Sequence, residues 1–342
     1  MSYPQVAAPG AAVAWGGVAP NPAYSGIFIP EIWSGKLIEK FYAATVLGAI
    51  ANTDYEGEIK NQGDLVKIRT RPTIAITDYE ANQELSIQRP SSNLVELLID
   101  QGKYFNLALD DVMEIQSDID QLSIWAEDAS EQMKIAVDTD VLNYLAGVTN
   151  TDIDEVNRSA QTSGAISGDI ALGGYGEPVF INKAGYGTED GSDSDNSMSI
   201  VDYLVNCGQV LDEQNLPETG RWVVIPAWVA SRIKKSELKD ASLSGDGTSI
   251  LRNGRLGMID RFTLYLSNLL LPQGGYADEW PILFGTNAAL TFASQLTKME
   301  TLRSERSFSQ LVRGLQVYGF KVVNGVAMGR GVVGKGGVPS GT

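Results

Sequence analysis

One pattern constrains the fold of this chain more than any other. Between Asp111 and Gly147 the residues Val112, Ile115, Ile119, Leu122, Ala126, Ala129, Met133, Val137, Val141 and Leu145 recur every three or four positions. That spacing predicts a single helix with a continuous apolar stripe. At 1.5 Å per residue it reaches about 50 Å. Asp111 followed by Glu114 has the side chains that satisfy free N–H groups at a helix start, and Gly147 is a natural stop. The other face is acidic: Asp110, Asp111, Glu114, Asp118, Asp120, Glu127, Asp128, Glu131, Asp138 and Asp140 stand against Lys134 alone.

The segments around this helix change character several times. Residues 1–29 read as an extended arm, because Pro4, Pro9, Pro20 and Pro22 forbid a long helix. Residues 30–51 read as a helical segment opened by Pro30-Glu31-Ile32-Trp33. Over 52–108 the period becomes two, in Leu65–Arg69, Thr73–Ile76 and Leu94–Ile99, so a long β-hairpin loop with little core is expected. The helix takes 109–148. Residues 149–198 are polar, and Gly187–Ser197 reads as an exposed loop. Residues 199–285 alternate helices and strands, with a helix at 199–214, a strand at Arg221–Ile225, a helix over 226–235 and a strand from Leu256 to Leu266. Closing strands are expected over 286–324, and 325–342 reads as a loose Gly-rich tail.

Composition removes whole classes of chemistry. The chain has no histidine, which excludes Ser-His-Asp and Cys-His nucleophile systems and His-ligated zinc or haem. A lone Cys207 forms neither an internal disulfide nor a Cys cluster, and its apolar helical setting predicts a reduced core thiol. A net charge of −16 gives no general attraction to phosphate or to anionic lipid. No apolar run is long enough to span a bilayer, and the start of the chain lacks a signal-peptide pattern, so a protein made and used in a cytoplasm is expected. Asn157-Arg158-Ser159 matches a glycosylation sequon that carries no weight without secretion. No catalytic, cofactor or metal residue is assigned. Carboxylates are plentiful, but no pattern isolates a hydrolytic pair. Glu189, Asp190, Asp193 and Asp195 crowd one loop without the EF-hand spacing.

The order of elements resembles the tailed-phage major capsid proteins of the HK97-like fold, from about Ile29 to Val323. The matching stretches are Ile29–Ser34 and Lys36–Lys40, then Asn52–Ile59 and Gly63–Ile68, and then Leu107–Asp111 leading into the long helix. Further on come Arg221–Pro226, Gly254–Phe262, Tyr265–Asn268, Ala288–Gln295 and Val312–Val323. The resemblance implies an α+β fold: an N-terminal arm, an extended β-hairpin loop, a spine helix in a peripheral domain, and an axial domain. It implies a non-enzymatic subunit that self-assembles into hexamers and pentamers of an icosahedral shell, the virion capsid, enclosing phage DNA without sequence-specific binding or membrane contact. The short arm points to a separate scaffolding protein; a portal and a decoration protein are further implied partners. Residues 149–198 look like an insertion. No local pattern gives Lys60 or Lys67 a cross-linking partner. A nanocompartment shell of the same fold around a cargo enzyme is the alternative, and a carboxylate-based hydrolase the lower one.

A shell subunit needs repeated modest contacts. The basic residues of the hairpin segment, Lys60, Lys67, Arg69 and Arg71, are expected to meet Asp118, Glu127 and Glu131 on a neighbour's helix.

Overall fold

The apolar stripe folds as helix α2, Gln121–Ala146, and stops at Gly147. The structure, a computed structural model, describes residues 45–54, 65–72, 74–81, 84, 86–91, 94–111, 121–159, 170, 172–181, 197–235, 257–273, 278–305 and 307–335. All of them belong to one unit, residues 41–342. The arm at 1–29, Glu114 and the first residues of the stripe lie outside them.

Burial along α2 is uneven. Val137, Val141, Leu142 and Leu145 are buried and pack with Leu47 and Ile50 of the short helix α1, Leu47–Ile50. Leu122, Ala126, Ala129 and Met133 are half-buried. Among the described residues of the stripe, burial is complete only from Val137 onward. The acidic face also needs correction, because two of its members turn inward. Asp138 is buried and accepts the backbone N–H groups of Val46, at 2.9 Å, and Leu47, at 3.2 Å. It thereby satisfies donors that a helix start leaves without partners. Asp140 accepts the Tyr318 hydroxyl at 2.8 Å and pairs with Lys103 at 2.6 Å.

Strands β1 (Leu65–Arg69) and β2 (Leu94–Leu98) pair antiparallel, with Lys67 opposite Glu96 and Arg69 opposite Leu94. Their own core is thin: Ile68, Leu97 and Ile99 with Ala293. The alternation at Thr73–Ile76 does not become a strand in its described residues, since no facing strand supplies a ladder. Instead the Gln88 carboxamide takes the place of one, accepting the Ala75 N–H at 3.2 Å and donating to the Ala75 carbonyl at 2.8 Å. Strand β3 (Gln101–Asp110) is not among the strands that the period of two marks, and its last residues, Leu109 and Asp110, fall in the span 109–148 expected to be helix. It pairs elsewhere, in a sheet ordered β10–β11–β3 with β10 (Leu290–Arg303) and β11 (Ser309–Val322). Its alternation turns Leu109 into the interior.

A third sheet has seven strands, ordered β5–β4–β12–β9–β6–β8–β7. These are β4 (Val179–Ile181), β5 (Ser197–Met198), β6 (Arg221–Ile225), β7 (Met258–Ile259), β8 (Phe262–Leu266), β9 (Glu279–Thr286) and β12 (Met328–Lys335). It lies between two cores. Val223 and Ile225 of β6 face Tyr203, Leu204 and Leu211 of helix α4 (Ile200–Glu213) and Val229 and Ile233 of α5 (Ala227–Lys235). Trp222 and Val224 face the core shared with α1 and α2. Burial on both faces explains the unbroken apolar run of β6. Cys207 sits in the first core as a buried thiol whose pKa is raised by burial.

Three further expectations change. The strand expected over 256–266 is a hairpin, β7–β8, whose loop residues Asp260 and Arg261 have φ of 43° and 66°. Such a loop usually announces itself as Asn-Gly. Here Arg261 is held by Asp212 at 2.8 Å and Glu218 at 3.2 Å. The 149–198 segment is not merely an insertion: Ile153, Ile170 and Leu172 are buried, and it supplies β4, β5 and the short helix α3, Val156–Ser159. Asn157 of the sequon is buried and donates to the carbonyls of Val326 and Met328 at 2.6 and 3.1 Å, which closes it to modification in the fold. The loop at 187–196 lies outside the described residues. The Gly-rich tail is an inner strand through residue 335. A Cβ on Gly331 would stand 1.7 Å from the Tyr203 hydroxyl, and one on Gly329 2.2 Å from the Phe284 ring. Glycine here makes room for neighbouring aromatics, which composition alone reads as looseness.

Candidate functional site

The surfaces that this chain leaves unfinished are its candidate contact sites. The first is the segment between β1 and β2. Ile76 and Ile87 are 91% and 90% exposed, and Ile74 and Tyr79 are exposed beside them. Four large apolar side chains on a strip of chain without a ladder are costly to leave in water. They are what a partner would cover.

The basic candidates sit at the root of this strip. Lys67 is in β1 and faces Glu96 across the strands at 3.5 Å, with both side chains more than half exposed. Such a pair contributes little and is easily exchanged for another. Arg69 ends β1 and Arg71 follows it, both exposed. No ion pair joins Arg69 or Arg71 to another described residue. Lys60 and Asp118 lie outside the described residues.

The acidic candidates are on α2. Glu127 is exposed, and Glu131 pairs with Lys134 one turn on, at 2.6 Å. Within the chain, the described residues do not bring the basic set onto the acidic set. What the charge pattern did not reveal is that Ile124 and Trp125 lie exposed next to these carboxylates. They fall off the main stripe. Their only signal was being large and apolar at positions that an outward face should fill with polar residues.

The second unfinished surface is one face of the three-stranded sheet. A groove of about 480 Å³ is lined by Tyr104, Phe105, Asn106, Lys298, Glu300, Arg313, Gly314 and Leu315. Register sets Tyr104, Leu315 and Lys298 in one row and Asn106, Arg313 and Glu300 in the next. Glu300 contacts Lys298 and accepts two Arg313 hydrogen bonds, at 2.7 and 3.1 Å. These cations hold its carboxyl below the usual range. Tyr104 is 79% exposed at the rim. At the far end of the sheet the β10–β11 turn presents Phe308, and Arg303 pairs with Asp111 at 2.5 Å.

None of these surfaces gathers a reactive constellation. Among the described residues there is no cluster of metal-ligating side chains, and no helix is long and apolar enough to cross a membrane.

No family model and no curated protein matches the sequence. Solved structures do. A chain of Mycobacterium phage Che8 superposes with a TM-score of 0.68 at 27% identity, over 91% of this chain and 98% of that one. The capsid structure of cyanophage P-SCSP1u gives 0.67 at 14% identity, over 90% and 94%. The mature capsid of bacteriophage PhiM1 gives 0.61 at 13% identity, over 91% and 93%. This chain has the fold of phage major capsid proteins. The HK97-like α+β class expected from the order of elements is the class observed.

Proposed function

We propose that this chain is the major capsid protein of a tailed bacteriophage, a non-enzymatic subunit that self-assembles into the icosahedral shell around the phage genome. The observation that carries the reading is agreement with phage capsid chains over about nine-tenths of both partners. The exposed apolar strip fits it, because a loop with so thin a core of its own is completed by a neighbouring copy. On this reading hexamers and pentamers form in the host cytoplasm with a separate scaffolding protein and a portal, and a decoration protein is a further partner. The enclosed DNA is held without being gripped, as a chain of net charge −16 allows.

The proposed contact places Lys60, Lys67, Arg69 and Arg71 of one subunit on Asp118, Glu127 and Glu131 of the next. Ile76 and Ile87 add apolar burial near Trp125. The test is electron microscopy of the chain expressed with and without its scaffolding protein. Closed shells of uniform diameter are expected. A folded subunit that never closes into shells under either condition would count against the proposal.

A further inference from the structure

We propose that β12 couples the seven-stranded sheet to the C-terminal end of α2, with Arg330 as the positioning residue; its consequence for the shell rests on the capsid reading above. Arg330 lies within β12 and is 5% exposed. Its guanidinium donates to the Gly147 carbonyl and, at 3.5 Å, to that of Ala146, and stands 5.3 Å from the centre of the Tyr175 ring. The Tyr175 hydroxyl donates to the same Ala146 carbonyl at 2.8 Å. Just beyond, the Asn150 carboxamide donates to Tyr144 at 2.9 Å, and Arg158 donates to the Asn150 carbonyl at 3.1 Å. The last carbonyls of a helix have no partners within it. Here they are met from three separate segments, one of them an inner strand of the sheet.

This is an expensive way to fill a strand position. Arg330 pairs with no carboxylate among the described residues. Burial, and then the charge of Arg158, lower its pKa. The Nε atoms of both arginines are buried without an acceptor. An apolar side chain would pack there without that cost. The negative end of the α2 dipole offsets it in part. The strand itself has little freedom to slide, because Gly331 and Gly329 are fitted against Tyr203 and Phe284. A displacement of the sheet therefore moves the donors at the end of α2, and the angle between helix and sheet is fixed at this junction. In a closed shell every subunit repeats that angle, so a small change in it alters curvature.

The test uses the full chain with Arg330→Met, which keeps an unbranched stem and removes the donors. Hydrogen exchange on the unassembled subunit is the first readout and does not depend on the shell reading. Amides from Leu142 to Gly147 should exchange about ten-fold faster or more, while those of β6 stay as they were. Shells from this variant should vary in diameter, and Arg330→Lys should restore uniformity. Unchanged exchange at the helix end overturns the coupling, and so does equal acceleration throughout the subunit. Uniform shells of the original diameter overturn its consequence for curvature. If Arg330→Met does not fold, Tyr175→Phe removes one donor to Ala146 while keeping the ring. It should give a smaller acceleration at the same amides, and none there would equally overturn the proposal.

Discussion

In the seven-stranded sheet every residue of β6 is buried, and every residue of β12 except Lys335. In the hairpin segment Ile68, Leu97 and Ile99 are buried, while Ile76 and Ile87 stand almost wholly in water. The same apolar residue types thus meet opposite fates in one chain. The sheet is completed by its own sequence: two cores, two helices and a strand from the Gly-rich segment close it. The hairpin's described residues are not, and Ile76 and Ile87 find no cover among the described residues. A protein that folds alone but works as one copy among many divides its apolar surface in this way, part for itself and part for its neighbours.

The largest expected effect separates those two uses. Arg69 and Leu94 face each other, so replacing residues 70–93 by Asn-Gly closes β1 onto β2 with a two-residue loop. The shortened subunit should melt within a few degrees of the intact one and form no stable shells. Shells of normal yield would mean that the exposed strip is not an assembly element. Loss of the folded subunit would mean that the strip supports its own chain.

Next comes the division within α2. Leu145→Ala, in the buried half, should cost roughly 2–5 kcal/mol, a large share of a usual stability of about 5–15 kcal/mol. Leu122→Ala, in the half-buried part, should cost less than half as much in the free subunit. Chemical denaturation of the unassembled variants measures both. Equal costs would place the whole stripe in this chain's own core.

A smaller effect follows from charge. The Asp152 carboxylate accepts the Tyr144 hydroxyl at 2.5 Å and pairs with Lys321 at 2.9 Å, and Asp212 pairs with Arg221 at 2.6 Å and Arg261 at 2.8 Å. Burial raises the pKa of each, but these partners outweigh it and the net shift is downward. A lowered folded-state pKa stabilises above the ordinary carboxylate range and is lost as the pH falls through the folded value. Melting temperature should therefore decline as the pH drops below about 4, and Asp212→Asn should flatten that decline. Asp138 has the opposite sign, since burial outweighs its two backbone hydrogen bonds and raises its pKa. Asp138→Asn should not flatten the decline.

What could be read from sequence follows the same boundary. Elements whose burial is periodic within one segment were legible: α2, α4, β6 and the pairing strands β1 and β2. The order of these elements led to the fold class. Features that depend on distant neighbours were not. The inward turn of Asp138 depends on Val46 and Leu47, ninety-odd positions away. The burial of β12 depends on Tyr203 and Phe284, whose rings need glycine opposite them. The pairing of β3 with β11 rather than with the hairpin is a competition between strands that no local period decides. The residues of the proposed contact were legible only as charges. Their apolar companions, Ile76, Ile87 and Trp125, became visible once burial within the subunit was known.

The smallest effect on the subunit tests the charged part of the contact. Glu127 is exposed, and Glu131 holds only the surface pair with Lys134. Truncating either to Ala should change subunit stability by about 0.5 kcal/mol or less. If the two carboxylates meet Arg69 and Arg71 of a neighbour, the same substitutions should lower assembly yield, and Arg69→Ala with Arg71→Ala should lower it too. The loss should be greatest at low salt, where charges are least screened, and should shrink toward 1 M, where the screening length is about 3 Å. Combining the acidic and basic substitutions should cost less than the sum of the separate losses, because the second change removes a partner already gone. Additive losses at every salt concentration would mean that the two sets of charges act at different places, leaving the apolar strip to hold the hairpin on its neighbour alone.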